Sequence, residues 1–306
     1  MRDKSFTLKY ENCLICPRKC GVNRLEGARG FCGAGSDPAV NLSMLHFGEE
    51  PVISGVRGSG TVFFEGCSLK CVFCQNFDIS RGETGSGVTC DAEGLSKIYL
   101  GLQEQGAHNI NLVTAGHFIP TVAESIALAR ESGLTVPVAF NSGGYESVDS
   151  LKMLDGLVDI YMPDMKFFAS SLSRRLCGAG DYHDVCCAAL DEMFRQTGPA
   201  VINDDGLMMR GMIVRHLMLP GQLFDTKKVL DCLCGRFGND IYISLMNQYT
   251  PFDDKYPSMK LPDFLKRKLP QGHYEAAAEY LALLGQENAF IQEDASGDEL
   301  LPKFNS

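Results

Sequence analysis

The chain has 306 residues, of which 45% are hydrophobic and 22% are charged, and its formal net charge at pH 7 is −10. This composition is typical of a packed globular protein with one large domain and a small appendage. The acidic charge argues against nucleic acid or an anionic membrane as the main partner. No apolar run approaches the length of a membrane span, and the opening residues MRDKSFTLKY lack the apolar core of a signal peptide. The 13 cysteines are therefore expected to be reduced thiols and metal ligands of a cytoplasmic protein.

Residues 1–45 form a segment that is rich in cysteine and glycine and has little hydrophobic periodicity. Its cysteines follow the spacing C-x2-C-x3-C-x11-C, at Cys13, Cys16, Cys20 and Cys32. Four soft ligands within twenty residues can wrap one metal, and a stretch this poor in core residues needs a metal to order it. The spacing therefore predicts a separate metal site, with zinc and an iron–sulfur cluster as equal alternatives.

Residues 46–252 alternate between short apolar runs and amphipathic stretches. Strands are predicted for the six apolar runs, which are short and rich in β-branched residues, at 61–66, 109–116, 135–144, 157–167, 211–221 and 240–252. Helices are predicted between them, at 91–107, 121–133, 147–156, 181–198 and 225–238. This alternation requires parallel strands with right-handed crossovers. Six strands are too few to close an eight-stranded barrel, so we expect an α/β fold with a partial, TIM-like (β/α)6 barrel. Residues 253–306 are expected to form a C-terminal extension with one helix, HYEAAAEYLALLG.

Polar residues follow the predicted strands at the ends where such folds bind ligands. They are Thr114, Gly116 and His117 after the second strand, Asn141 and Ser142 after the third, Asp164 and Lys166 after the fourth, and Arg215 on the fifth. Because the carboxyl ends of parallel strands meet at one edge of a sheet, we expect these residues to surround one site.

The segment GCSLKCVFCQNFDIS follows the first predicted strand and holds Cys67, Cys71 and Cys74 in the spacing C-x3-C-x2-C. The next cysteine along the chain is Cys90. Three thiolates on one short loop can hold three irons of a [4Fe–4S] cube and leave the fourth iron open to a substrate. The alternatives are a structural zinc knuckle and buried core thiols.

This cysteine spacing, with Phe73 before the last cysteine, resembles the radical S-adenosylmethionine (SAM) superfamily. The resemblance covers most of residues 60–252 and extends to the branch of the pyruvate formate-lyase activating enzymes and their uncharacterised relatives. It is carried by CQNFDIS, NSGGY, DIYMPDMK, VRHLMLPG and SLMNQYTP, and by the N-terminal CPRxC segment. It implies the partial barrel and a [4Fe–4S] cluster whose open iron chelates the amino and carboxylate groups of SAM. It also implies reductive cleavage of SAM to methionine and a 5′-deoxyadenosyl radical, with electrons from a reductant such as flavodoxin or ferredoxin.

The resemblance also implies which residues contact SAM. The Gly-Gly-Glu element that binds the SAM amino group falls at Ala115, Gly116 and His117, where one glycine remains and histidine replaces the acid. Asn141 and Ser142 match residues near the SAM carboxylate.

Three further residues match charged positions of the activating enzymes. Asp164 and Lys166 match an Asp-x-Lys pair, in which the lysine neutralises developing charge and the aspartate orients it or a bound cation. Arg215 matches a basic residue that reaches toward SAM. The alternative for Asp164 and Lys166 is an ordinary ion pair at a strand end.

Two functions are consistent with these residues. In the first, the protein abstracts a hydrogen atom from a backbone glycine of a glycyl-radical enzyme. In the second, it modifies a small molecule or a peptide, with the N-terminal metal binding substrate or relaying electrons. A non-catalytic metal scaffold is a third alternative. The sequence leaves the substrate, the N-terminal metal, the electron donor and the oligomeric state open.

Overall fold

The structure of the protein, a computed structural model, describes residues 8–81, 86–251, 261–292 and 304. The predicted boundary between barrel and extension, at residues 252 and 253, lies outside these ranges. The strands are β1 Ala39–His46, β2 Ser59–Phe64, β3 Val88–Thr89, β4 Ile110–Val113, β5 Val138–Ser142, β6 Ile160–Pro163, β7 Val201–Ile202, β8 Met208–Leu217, β9 Tyr242–Met246 and β10 Ala289–Ile291. The α-helices are α1 Pro51–Ser54, α2 Phe77–Ser80, α3 Ala92–Glu104, α4 Ile119–Glu131, α5 Val148–Leu151, α6 Ser170–Cys177, α7 Tyr182–Thr197, α8 Leu223–Phe237 and α9 Gln271–Leu283.

One sheet contains the six predicted strands in chain order. Its strand order is β10-β9-β8-β6-β5-β4-β2-β1-β3, and every neighbouring pair from β2 to β10 is parallel. Among the described residues β10 and β3 are its edges, so the sheet is open. This confirms the α/β class and the partial TIM-like barrel.

The parallel strands form because both of their faces are covered. All residues of β2, β4 and β6 are buried, which explains why these strands lack the regular alternation of apolar and polar residues that a half-exposed strand shows. The helices start and stop where the sequence provides caps. The side chain of Asp91 accepts a hydrogen bond from the Gly94 N–H at 2.9 Å to start α3, and Gly178 ends α6 with a left-handed φ of 61°.

Antiparallel strands widen the sheet beyond the predicted barrel. β1 pairs antiparallel with β2 and β3, and the predicted boundary at residues 45 and 46 falls inside β1. The N-terminal segment therefore continues into the sheet. Sequence patterns also missed β3, β7 and β10, because strands of two or three residues are too short to show a period. The eight-residue helix α6 was missed as well.

The C-terminal extension is part of the same sheet. Helix α9 occupies the predicted helical segment, and β10 adds a parallel strand to β9, with Phe290 opposite Ser244. In the described part of the chain, no helix has both the length and the apolar character needed to cross a membrane.

Candidate functional site

The loop that holds Cys67, Cys71 and Cys74 begins at Gly66, directly after β2. Gly66 has a φ of +83°, and a Cβ there would lie 2.8 Å from the carbonyl oxygen of Cys32. Only glycine fits this close approach of the N-terminal segment. The loop then returns to the sheet edge, where Cys67 and Cys74 are half-buried and Cys71 is buried.

A cavity of about 140 Å³ lies at the carboxyl ends of the parallel strands and brings most of the predicted site residues together. Its predicted lining residues are Cys67, Cys71, Phe73, Cys74, Asn141, Ser142, Asp164 and Lys166. They come from three separate parts of the chain, so the sheet and not the local sequence assembles them. Thr114, Gln75 and Asn76 line the same space.

Backbone groups of the loop point at its sulfurs. The Leu69 N–H donates to the Cys67 sulfur at 3.4 Å, and the Asn76 N–H donates to the Cys74 sulfur. Burial raises the pKa of Cys67 to about 12 and that of Cys74 to about 11. The free thiols are therefore protonated at neutral pH, and a metal that binds them must displace their protons.

Asp164 and Lys166 form an ion pair at the end of β6, and about one fifth of each side chain is exposed. Burial alone would lower the pKa of Lys166, but the Asp164 carboxylate and the nearby Cys71 sulfur raise it above its usual value. Lys166 therefore stays a cation next to the cysteine loop.

The backbone around this pair is held by Tyr182 at the start of α7. The Tyr182 hydroxyl lies 2.9 Å from the N–H of Lys166, which donates to it, and 2.8 Å from the carbonyl oxygen of Asp164. At Gly144 a Cβ would lie 2.1 Å from that same carbonyl oxygen. The second glycine of NSGG is thus required by close packing against the Asp164 segment.

Ser142 connects the cavity to a buried acid that sequence reasoning missed. Its hydroxyl donates to the Glu146 carboxyl at 2.9 Å. Burial raises the pKa of Glu146 to about 7, and the nearby Asp164 adds to this effect. A Cβ on Gly116 would lie 2.9 Å from a Glu146 oxygen. Glu146, on the turn after β5, thus places a buried carboxyl next to the Ala115–Gly116–His117 segment.

Ala115, Gly116 and His117 do not line the cavity. β4 ends at Val113, and Gly116–Phe118 is a 3-10 turn that carries the His117 ring away from the cavity, to within 2.9 Å of the Glu65 carbonyl oxygen. Burial, with the Arg24 guanidinium nearby, lowers the pKa of His117 to about 3, so the ring is neutral.

Thr114 lines the cavity in place of this element, with a φ of 63°. A left-handed backbone at a β-branched residue is strained by about 1–3 kcal/mol, and such strain is concentrated at functional sites. The periodicity of the sequence carries no signal for this conformation.

Arg215 reaches the neighbouring space but is already paired. Its guanidinium donates to the Glu50 carboxylate at 2.9 Å and also forms an ion pair with Glu49. Burial alone would lower the pKa of Arg215, but the two carboxylates raise it. Two further cavities of about 160 and 460 Å³ share Glu49 and Arg215, and the smaller one shares Asn141 and Asp164 with the first cavity. The three cavities thus adjoin one another along the sheet edge, with the cysteine loop beside the first.

The four N-terminal cysteines lie together outside this space. Cys13, Cys16 and Cys32 are buried, and Cys20 is exposed. Each sulfur accepts a hydrogen bond, from the Arg24 side chain to Cys13 (3.7 Å), from Phe31 N–H to Cys20 (3.4 Å), and from backbone N–H groups of Arg18 and Ala34 to Cys16 and Cys32. None of the four lines the cavity of the Cys67 loop.

Arg18, inside the CPRKC segment, connects the two cysteine sets. Its guanidinium donates to the carbonyl oxygens of Ser68 at 2.8 Å, Cys177 at 2.8 Å and Gly178 at 2.6 Å. Ser68 lies between Cys67 and Cys71, so the N-terminal segment contacts the cysteine loop directly. Cys177 also places its sulfur 3.0 Å from that of Cys71. The sequence showed neither contact, because both join residues far apart in the chain.

Comparison with known proteins gives a family. No family model matches the chain. The uncharacterized protein MJ0674 of Methanocaldococcus jannaschii is 30% identical over 276 residues, which cover 88% of this chain and 74% of the relative. The chain therefore belongs to the same family as MJ0674.

Two solved structures align with part of the chain. The crystal structure of Streptococcus suis SuiB bound to S-adenosylmethionine aligns with a TM-score of 0.49 at 11% identity, over 77% of this chain and 50% of SuiB. Methylornithine synthase (PylB) aligns with a TM-score of 0.46 at 14% identity, over 78% of this chain and 71% of PylB. The chain spans half the length of SuiB.

Proposed function

We propose that this protein is a radical SAM enzyme that abstracts a hydrogen atom from its substrate. The observation that carries the proposal is the cavity in which the Cys67, Cys71 and Cys74 loop meets the Asp164–Lys166 pair. Neither feature alone is specific, since cysteine triplets and strand-end ion pairs both have structural roles. Their meeting at the carboxyl ends of parallel strands is what ligand chemistry in this kind of fold requires.

The cysteine loop suits a [4Fe–4S] cluster. It offers three soft thiols at the cavity, with backbone N–H groups directed at Cys67 and Cys74. The three sulfurs of the loop do not all lie within 4.8 Å of one another. The sulfur ligands of one tetrahedral zinc ion lie about 3.8 Å apart. When bound there, such a cluster supplies one electron that cleaves SAM to methionine and a 5′-deoxyadenosyl radical, which takes the hydrogen atom.

The surrounding residues bind and orient the cofactor in this proposal. The Lys166 cation neutralises a carboxylate such as that of SAM, and the Asp164 carboxylate holds the ammonium group of Lys166 in place. Asn141 and the Ser142 hydroxyl provide polar contacts on the neighbouring strand. Phe73, which is buried, excludes water from the wall beside the loop.

We further propose that the substrate is a polypeptide, with the glycine of a glycyl-radical enzyme as the first candidate. The two cavities next to the first one are lined by a cluster of amide side chains. In this cluster Gln75 donates to the Gln248 carbonyl at 2.9 Å, and Gln292 donates to the Gln248 side chain at 3.0 Å. Amides both donate and accept hydrogen bonds, as a peptide backbone requires of its partner. A small-molecule substrate is the alternative. The proposed electron donor is a one-electron reductant such as flavodoxin or ferredoxin.

The N-terminal cysteines support a second metal centre that orders the chain rather than binding substrate. Their sulfurs line none of the three cavities described above. Arg18, which lies between Cys16 and Cys20 in the chain, contacts the Cys67 loop from outside the cavity. No three of these four sulfurs lie within 4.8 Å of one another, which favours an iron–sulfur cluster over a single zinc ion.

The test is SAM cleavage by anaerobically reconstituted protein reduced with dithionite. Wild-type protein should release 5′-deoxyadenosine, and the Cys67→Ala/Cys71→Ala/Cys74→Ala protein should release none. Cys90→Ala is the matched control, because Cys90 is a half-buried thiol outside the cavity, and it should keep wild-type activity. Product from the triple variant, or none from the wild type, would contradict the proposal.

The substrate is tested by isotope transfer. The reduced enzyme is incubated with lysate of its host grown on α-deuterated glycine, and the released 5′-deoxyadenosine is analysed by mass spectrometry. Deuterium in the product, together with a glycyl-radical signal in electron paramagnetic resonance, supports the protein substrate. Activity that survives only in the low-molecular-weight fraction of the lysate supports the small molecule instead.

A further inference from the structure

A third group of metal-ligating side chains lies on the outer helices, away from both cysteine sets. His183 and Cys187 belong to α7, and Cys232 belongs to α8. In the described ranges this is the one set of three histidine, cysteine or acidic residues whose donor atoms all lie within 4.8 Å of one another.

The distances within this group match those around one tetrahedral metal ion. The sulfurs of Cys187 and Cys232 lie 3.8 Å apart, and Nε2 of His183 lies 3.7 Å from the Cys187 sulfur. A zinc ion with bonds of about 2.3 Å to sulfur and about 2.0 Å to nitrogen holds such ligand pairs about 3.6–3.8 Å apart. The sulfurs are also too far apart to be a disulfide, whose S–S bond is about 2.05 Å.

The histidine is held as metal-bound histidines are. Its other nitrogen, Nδ1, lies 3.1 Å from a carboxylate oxygen of Asp184, and its ring packs edge-on against Phe168 with the centroids 4.5 Å apart. A carboxylate on the far nitrogen fixes the tautomer that leaves Nε2 free to bind a metal. His183 and Cys187 are four residues apart in a helix, so they present their donor atoms on one face.

The positive charge of Arg236 lies next to this group and is balanced by a carboxylate. Arg236 contacts Cys232, but its guanidinium also makes two hydrogen bonds, of 2.8 and 2.9 Å, to the carboxylate of Asp191. Two thiolates and Asp191 together outweigh this charge, so a divalent cation remains favoured.

We propose that His183, Cys187 and Cys232 bind one zinc ion that fastens α7 to α8. Two thiolates and one imidazole are soft ligands typical of zinc, and the fourth position is open to water. The site lies one residue from Tyr182, whose hydroxyl accepts from Lys166 and lies against the Asp164 carbonyl. Zinc at this position stabilises the wall of the candidate cofactor cavity. The inference does not depend on radical SAM chemistry.

The experiment compares metal content across matched variants of the full chain, purified anaerobically and equilibrated with zinc. Cys232→Ser and His183→Asn, which alter different helices, should each contain one zinc per chain fewer than wild type. Cys234→Ser is the control, because Cys234 lies two residues from Cys232 on the same helix but outside the group, and it should retain wild-type zinc. Cobalt substitution adds a spectroscopic readout, since the wild-type minus Cys232→Ser difference spectrum should contain a thiolate-to-cobalt charge-transfer band.

Three results would overturn the proposal. The first is equal zinc in wild type and both variants. The second is a difference spectrum without the thiolate band. The third is a Cys187–Cys232 disulfide in wild-type protein kept anaerobic, as shown by thiol labelling and mass spectrometry. Since two conservative variants on two helices must lose the same single ion, misfolding of one of them would not imitate the expected result.

Discussion

The two cysteine-rich segments of this protein contain similar ligands in opposite surroundings. Cys67, Cys71 and Cys74 face a cavity that also contains Asp164 and Lys166. Three of the four N-terminal cysteines are buried and Cys20 is exposed, and each of the four sulfurs receives a hydrogen bond from their own segment. The number of cysteines and their spacing give the number of ligands, but the space in front of the sulfurs decides whether a metal there can take a further ligand.

The two segments are nevertheless mechanically joined. Arg18 extends from the N-terminal segment to the carbonyl of Ser68 in the cluster loop, and Gly66 packs on the carbonyl of Cys32. A metal bound to the N-terminal cysteines would therefore also help to order the loop. The predictions below separate the two sites or test the contact between them.

The largest expected effect is complete separation of the two sites. The Cys67→Ala/Cys71→Ala/Cys74→Ala protein should lose all SAM cleavage yet keep iron and sulfide at the N-terminal cysteines. Replacing Cys13, Cys16, Cys20 and Cys32 by alanine should remove that residual metal, as measured by iron and sulfide analysis of both variants. If that replacement removes zinc and no iron, the N-terminal metal is zinc, and if it leaves the metal content unchanged, the N-terminal site is rejected.

The open site should depend on its ion pair. Lys166→Met should weaken SAM binding or cleavage about tenfold to a hundredfold, because loss of one charged hydrogen-bond partner costs about 1.5–3 kcal/mol. The cluster's visible absorbance should remain, since Lys166 is not a ligand. Lys152→Met, on an exposed side chain outside the cavity, is the control. Equal SAM affinity in both variants would make the Asp164–Lys166 pair a structural feature only.

Glu146, under the wall of the open site, should make stability depend on pH. Its pKa is raised from 4.5 to about 7, so its protonated form is favoured by folding. The contribution of Glu146 to the free energy of unfolding should therefore be most favourable below about pH 4.5. It should fall by about 3 kcal/mol between pH 4.5 and pH 7.

Glu146→Gln, which resembles the protonated acid, should remove this decline, and above pH 7 it should be more stable than the wild type. Thermal unfolding midpoints of wild type and variant across this pH range measure the effect. Glu131→Gln, at an exposed position on α4, should leave the wild-type pH dependence intact. Parallel curves for wild type and Glu146→Gln would show that Glu146 titrates normally.

The smallest expected effect concerns the contact between the two regions. Arg18→Met removes three hydrogen bonds to the carbonyls of Ser68, Cys177 and Gly178, and should cost about 1.5–3 kcal/mol of stability in the cluster loop. The expected readout is faster loss of the Cys67-loop cluster to a chelator, with the N-terminal metal unchanged. Lys19→Met, at the exposed neighbouring position, is the control. Identical rates in the two variants would mean that the N-terminal segment does not support the loop.

Local sequence patterns were sufficient for the six parallel strands and for the cysteine loop. Strands such as β2, with residues Ser59–Phe64, are buried on both faces, so their apolar runs stand out from the helices around them. The same patterns placed strand ends poorly. The second predicted strand extended to Gly116, but β4 ends at Val113, and Thr114 takes the position next to the cavity.

The sequence by itself determined the fold class, the two closely spaced sets of cysteines and the strand-end positions of Asp164 and Lys166, because each depends on local spacing or on a period of burial. Only the tertiary structure decided which residues meet across the chain. It placed Glu146 against Gly116, Arg215 between Glu49 and Glu50, and Arg18 on Ser68. It also brought His183, Cys187 and Cys232 together from two helices. Such contacts join residues separated by up to about 166 positions, and no local pattern encodes them, since packing of the whole sheet and its helices sets the distances.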